Sequence, residues 1–366
     1  MLIRYATDEN GNPVEKAKIY TKDEHKIRLD HIDPDAIKVI SRLRESGFDA
    51  YLVGGAVRDL IVGKAPKDFD IVTDATPSRI KKIFRNSRII GRRFRLVHVF
   101  FGPKIFEVST FRSIRDGSVG NEFGTMDEDV LRRDFSLNAL YYDVQKEQVI
   151  DYVNGVQDIR KGIIRPVIAL DHIFTEDPVR MLRAVKYSAT TGCKLPHYLK
   201  KKIRKSADLL SPVSPSRLTE ELLKIINSGH SSEIVAQALD NDLYPFLQPA
   251  ATELILDSKK FAKDYLNSLK ELDTFIASHN DSRLGEKLVF IIRDFIGTIT
   301  DWDEEIAHKT TAAELYTRTW AQCRNFILPM NPQRTELEFA IRTVLKSYGI
   351  QVKLPKRLKA PSKMAK

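Results

Sequence analysis

The spacing of apolar and polar positions changes character about halfway along this chain. Residues 1–30 carry mixed charge with little periodicity and read as a loosely held extension. From Asp35 to Arg44 (DAIKVISRLR) apolar residues recur at helical spacing, and Gly47 follows as a helix stop. Ala50-Tyr-Leu-Val is a short β-branched and aromatic run that halts at Gly54-Gly55, a strand entering a turn. Phe69 to Thr73, Val97 to Phe101 and Ile105 to Thr110 read as further strands, with a helix from Pro77 to Phe84 between them. After Ile163 the period becomes helical. Pro178 to Thr191 predicts one helix, followed by a basic stretch at Lys200 to Lys205. Ser214-Pro215 then opens another, with serine at the cap and proline in the first turn. Ser231 to Tyr348 shows only helical periods broken by Pro, Gly and Asn, and Lys353 to Lys366 is basic without an acid, a disordered tail. The predicted fold class is an α/β (α+β) head followed by an all-α neck, body and tail. The divisions fall at 1–34, 35–160, 161–230, 231–350 and 351–366.

Composition narrows the class. The 366 residues, 42% hydrophobic and 30% charged, are too many for one ordinary core and predict two or three domains. Cys193 and Cys323 fit no zinc or disulfide framework, which suits a reducing compartment. No apolar run approaches the roughly 18 residues a bilayer span needs, and Met1 to Asn12 lacks the core of a signal peptide, so the cytoplasm is expected. A formal charge of +10 suits a polyanionic partner without identifying one.

Chemistry enters at Gly54-Gly55-Ala56-Val57-Arg58-Asp59 and at Lys67-Asp68-Phe69-Asp70. Residues i and i+2 of a strand share a face, so Asp68 and Asp70 are expected to project together. Two neighbouring carboxylates repel unless a cation lies between them, and oxygen ligands of this kind suit Mg²⁺. Gly54 and Gly55 let the backbone approach a phosphate closely, and Arg58 and a following helix start favour its negative charge. Either feature alone is common in surface turns. Joined at this spacing they predict a nucleoside-triphosphate site. Further on, a helical turn over Arg132 to Asn138 places Asp134 and Asn138 on one face, suited to a ribose or a metal-bound water. Asp177 and Pro178 make a helix start, with Arg180, Arg183 and Lys186 as a basic stripe beyond it.

Leu52 to Thr76 (LVGGAVRDLIVGKAPKDFDIVTDAT) resembles the signature of the class II branch of the nucleotidyltransferase superfamily, which contains bacterial poly(A) polymerases and tRNA CCA-adding enzymes. Arg132 to Ala139 (RRDFSLNA), Glu176 to Arg183 (EDPVRMLR) and Pro215 to Leu223 (PSRLTEELL) resemble its later motifs, in the family's order. The resemblance covers roughly 35–230. It implies a catalytic head at 35–160, a base-recognising neck at 161–230 and an RNA-binding body at 231–350. It further implies that Asp68 and Asp70 hold two Mg²⁺ ions and that Asp134 is a catalytic carboxylate. Gly54, Gly55, Arg58, Arg133 and Asn138 would contact the nucleotide, while Asp177 and Arg180 read its base with Arg183 alongside. Lys186 stands where many relatives have a third arginine, which weakens that contact. Glu107 competes with Asp134 as the additional metal-site carboxylate.

Gly91 to Gly102 (GRRFRLVHVFFG) resembles a block of bacterial poly(A) polymerases that CCA-adding relatives generally lack. Arg92, Arg93 and Arg95 there are suited to phosphates of primer or triphosphate. The expected activity is therefore template-independent adenylate addition from ATP to RNA 3′ ends. CCA or A addition to tRNA is the alternative, and a catalytically silent RNA-binding protein is a reading of another class.

Overall fold

The computed structural model describes residues 1–8, 10–91, 95–115, 122–279, 281–308 and 310–352. The chain divides into two compact units, Met1–Leu209 and Leu210–Lys366. Unit 1 is built on β1 (Leu2–Thr7), β2 (Pro13–Tyr20), β3 (Ala50–Val53), β4 (Asp70–Thr73), β5 (Ser87–Ile90), β6 (Leu96–Phe101), β7 (Lys104–Thr110), β8 (Leu140–Asp143) and β9 (Gln148–Asp151). Its helices are α1 (Lys22–His25), α2 (Pro34–Glu45), α3 (Gly55–Ile61), α4 (Pro77–Ile83), α5 (Met126–Leu131), α6 (Gly155–Lys161), α7 (Ile173–Glu176), α8 (Val179–Thr191) and α9 (His197–Ser206).

The strands form one mixed sheet in the order β1-β2-β9-β8-β3-β4-β7-β6-β5. β4 and β7 run parallel, and the remaining pairs are antiparallel. Alternation along each strand divides the core between two faces. Leu52, Ile71, Val97, Val99 and Val108 face a layer that includes Ala36, Val39, Ile40 and Leu43 of α2, Leu60 of α3 and Ile80 of α4. Tyr51, Val53, Val72 and Tyr141 face the other way, against Phe111, Val130 and Ala139. The i, i+3, i+4, i+7 spacing of the α2 residues is what buries them. Val39, Ile40 and Leu43 together contribute roughly 5–9 kcal/mol of hydrophobic transfer before entropy is counted.

The N-terminal segment departs from the expectation of a loose extension. β1 and β2 form a hairpin whose inner strand pairs Lys18, Ile19 and Tyr20 with Asp151, Ile150 and Val149 of β9. Most of β1 and the first half of β2 are exposed, so little apolar alternation marks them in sequence. Behind the hairpin, buried His25 bonds to the Glu147 carbonyl through Nε2 at 2.9 Å and accepts the Ile27 N–H at Nδ1.

The helical turn expected over Arg132 to Asn138 is also corrected. Thr125 caps α5, which ends at Leu131, and only Ser136–Asn138 makes a short 3₁₀ turn. The Phe135 backbone bridges to Pro166, which pulls the segment out of helix. Asp134 and Asn138 are therefore not stacked on one helical face.

Unit 2 is helical throughout its described residues, from Pro215–Ile226 to Arg334–Ser347. Ser214 occupies the cap position there, with Pro215 in the first turn, but its side chain makes no cap hydrogen bond. Among the described residues, no helix is long and apolar enough to cross a membrane.

Candidate nucleotide and metal site

The glycine turn comes directly off β3. Gly54 adopts φ 73° and ψ −130°, a conformation that essentially only glycine enters without strain, and it caps α3. Its N–H donates to the Leu140 carbonyl at 3.2 Å, tying the turn to β8. A Cβ at Gly54 would meet Arg133 Nη1 and the Asn138 carbonyl oxygen at 3.8 Å, so space exists there and conformation alone demands glycine.

Asp70 opens β4, and Asp68 lies two residues before it, exposed and outside the strand. β4 and β7 run parallel with Ile71 opposite Val108, which brings Glu107 beside Asp70. The Asp70 carboxyl is crowded by protein without being closed off from water. Loss of surrounding solvent, then the charges of Glu107 and Asp68 against those of Arg133 and Arg183, push its pKa up to about 6. Glu107 in turn lies 3.3 Å from His98 Nε2 across β6 and β7. Glu107 is thus the carboxylate that bears on Asp70. Asp134, weighed for the same position from sequence, has other neighbours: it is buried, accepts the Phe135 N–H at 2.8 Å, and ion-pairs with Arg183 Nε at 2.8 Å.

Arg58 points from α3 toward the second motif. Its Nη1 donates to Asn138 Oδ1 at 2.7 Å, its Nη2 pairs with Asp59 at 2.8 Å, and its guanidinium lies 5.5 Å from the centre of the Tyr187 ring. Arg183 donates to the Tyr187 hydroxyl at 2.9 Å, and Lys186 Nζ lies 5.5 Å from the same ring. Tyr187 is therefore a hub for three cations from α3 and α8. The sequence reading passed over it, although its spacing of four from Arg183 along α8 was visible.

Arg133 is held by a second buried set. It donates to Asp129 Oδ2 through Nη2 at 2.8 Å, and its Nε lies 3.0 Å from the Tyr141 hydroxyl. Tyr141 donates to the same Asp129 oxygen at 2.7 Å. Burial works to raise the Asp129 pKa, but Arg133 and these bonds outweigh it and hold the carboxyl below its ordinary range. Asp129 and Tyr141 were also missed, since only the folded sheet brings them to Arg133.

Asp177 sits between α7 and α8 and accepts the Val179 N–H at 3.2 Å. Arg180 is buried, not part of a solvated stripe, and donates to the Ile173 carbonyl at 3.1 Å and to Glu176 at 3.2 Å. Arg95 is exposed, while Arg92 and Arg93, like the tail from Lys353, lie outside the described residues.

Among the described residues, no three His, Cys, Asp or Glu side chains form a ready-made cation cage. The donor set at β4 and β7 nevertheless suits a hard divalent cation. Asp68, Asp70 and Glu107 supply only carboxylate oxygens, and the crowding that raises the Asp70 pKa is what a cation relieves.

Residues 50–165 match the Poly A polymerase head domain. Residues 195–255 match the family described as the probable RNA and SrmB-binding site of polymerase A. Poly(A) polymerase I of Escherichia coli O157:H7 is 40% identical over 290 residues, 74% of this chain and 62% of that protein.

Over its head, the chain matches the class II nucleotidyltransferase family.

A CCA-adding enzyme of Lactobacillus helveticus is 36% identical over 214 residues, 57% of this chain and 53% of its own length. Among solved structures, the Bacillus stearothermophilus CCA-adding enzyme in complex with CTP shares 25% identity at a TM-score of 0.56. That match covers 88% of this chain and 85% of the other. The mixed-sheet head and helical remainder are thus the family's architecture. The chain spans about three-fifths of the length of the poly(A) polymerases it matches.

Proposed function

We propose that this protein is a template-independent RNA nucleotidyltransferase that adds adenylates to RNA 3′ ends from ATP. The observation that carries the reading is the meeting of Asp70 and Glu107 on adjacent parallel strands, beside a glycine turn whose Arg58 is bonded to Asn138. Two Mg²⁺ ions held by Asp68 and Asp70, with Glu107 at hand, would stabilise the deprotonated 3′ oxygen and the charge on departing pyrophosphate. The chain's own groups bind and orient. Gly54 and Gly55 admit the triphosphate to the backbone, and Arg58, fixed by Asn138 and Tyr187, faces its negative charge. The primer 3′ oxygen bonds to the α-phosphorus, the bond to the β-phosphate oxygen breaks, and pyrophosphate leaves.

Asp134 serves this reading as the anchor of Arg183 and not as a third metal carboxylate. Asp177 and Arg180 read the adenine edge, with Arg183 and Lys186 beside it, and Arg133 and Asn138 contact the nucleotide. Arg92, Arg93 and Arg95 meet RNA phosphates. In the same proposal 35–160 is the catalytic head, 161–230 the neck and 231–350 the RNA-binding body, working in the cytoplasm on messenger RNA. The names of the more similar relatives support poly(A) addition, while CCA addition is favoured by the solved structures that share the fold.

The deciding experiment supplies the four NTPs singly with Mg²⁺ to a generic RNA and to a tRNA lacking its CCA end. Long ladders with ATP on the generic RNA uphold the proposal. Addition of one to three nucleotides on the tRNA alone moves the protein to CCA addition, and no incorporation on either overturns both.

A further inference from the structure

The sheet carries a row of side chains from the proposed metal site to its outer edge. Asp70 on β4 aligns with Glu107 on β7, Glu107 is paired with His98 on β6, and His98 with Arg88 on β5. Directly opposed residues share a face, so the row leads across four strands. Three interstrand steps put Arg88 about 14 Å from Asp70. β5 is the edge strand, and Arg88 is exposed on it.

Around that edge the sequence is one-signed. Not one Asp or Glu occurs between Asp74 and Glu107. Arg79 and Lys82 stand exposed on α4, whose Ile80 packs into the core on the sheet's other face, and exposed Arg85 lies in the turn from α4 to β5. Among the described residues, Arg79, Lys82, Arg85 and Arg88 enter no ion pair, whereas Lys104 pairs with Asp33 and Asp35, and Arg44 with Asp143. Lys81 is different: its ammonium donates to the Ser87 and Arg85 carbonyls and fastens α4 to β5. Four clustered cations without acids repel one another, at a cost to the fold that a polyanion removes. Ile89 is the one large apolar residue well exposed on β5, so the edge offers no apolar face for a membrane or a protein core.

We infer that this rim, Arg79, Lys82, Arg85 and Arg88, is a docking track for the phosphates of single-stranded RNA a few nucleotides upstream of the 3′ end. The inference rests on the proposed nucleotidyl transfer, because the row of residues gives the track its direction. It assigns a sequence-independent grip to the head itself, apart from residues 195–255.

The test measures binding of a fluorescent 20-nucleotide oligo(A) to the full chain and to R79Q/K82Q/R85Q/R88Q between 50 and 200 mM KCl. Extension of that RNA and of a trinucleotide too short to reach the rim is followed alongside. Losing four phosphate contacts should flatten the log–log salt dependence by about 3, so that the wild type loses about fiftyfold more affinity than the variant across that range. Trinucleotide extension should be unchanged. The charge-keeping variant R79K/R85K/R88K should restore the slope, which a merely structural role would not predict. An unaltered slope and affinity in the glutamine variant, with both primers still extended, overturns the track and leaves the nucleotidyl-transfer reading standing. A flattened slope in a protein whose wild type extends neither primer upholds the RNA track and overturns that reading.

Discussion

Arg183 reaches from α8 to Asp134, Nε to Oδ2 at 2.8 Å, and so fastens the helix that carries Arg180 and follows Asp177 to the segment carrying Arg133 and Asn138. The carboxylate end of this pair is buried and the guanidinium end is partly open to water. Replacing Asp134 by Asn should therefore cost about 1–3 kcal/mol, less than a fully buried pair, as read from denaturant midpoints. A double-mutant cycle with Arg183→Gln should give a coupling of at least about 0.5 kcal/mol. Additive losses would mean that the pair holds nothing together.

Asp70→Asn should behave in the opposite way. It removes a crowded carboxylate, so the melting temperature should hold or rise. Nucleotide incorporation should fall by on the order of 10³, the scale of losing several kcal/mol of metal-borne transition-state stabilisation. Turnover near that of the wild type would remove Asp70 from the chemistry.

Gly54→Ala has room for its methyl group but not for its backbone angles. The strain should cost about 1–3 kcal/mol and shift the turn that faces the triphosphate. We expect a raised KM for ATP along with the lost stability. A fully stable, fully active variant would show that the turn relaxes freely.

His25 gives stability a pH dependence. Burial pushes its pKa below the ordinary value, against the pull of the Glu147 carbonyl and nearby carboxylates. The unfolded chain thus takes up the proton first, and stability is lost as pH falls below about 6.5, by at most about 1.4 kcal/mol per unit. Chemical unfolding of wild type and His25→Gln between pH 7.5 and 5.5 checks this, and the variant should lose less over that interval. Equal losses would assign the acid sensitivity elsewhere.

The legible parts of the site are those that neighbours in sequence determine. Gly54-Gly55 and Arg58 fall within one turn, so local geometry sufficed there, whereas Asp68 lies outside the strand that Asp70 opens and does not share its strand face. The 3₁₀ turn at Ser136–Asn138 was misread because its shape depends on the Phe135–Pro166 bridge, a partner that helical spacing cannot reveal. Tyr187 and Asp129 escaped for a related reason. Their importance lies in what they meet: Arg58 is presented from a helix far earlier in the chain, and Tyr141 from a strand beyond the RRDF segment. The N-terminal hairpin was invisible because its partner strand lies at the far end of the head sequence, while of its own strand residues only Ala17 and Tyr20 are buried.

That last pairing has a consequence during synthesis. β2 ends at Tyr20, but its neighbour β9 begins at Gln148, and β9 and β8 fill the gap between β2 and β3. At ribosomal speeds the early strands wait roughly 6–26 seconds for the residues that complete the sheet. Until then β3, with its fully apolar faces, has an open flank where β8 belongs. Nascent chains stopped before Leu140 should accordingly stick to one another or to chaperones, and those released after Asp151 should not.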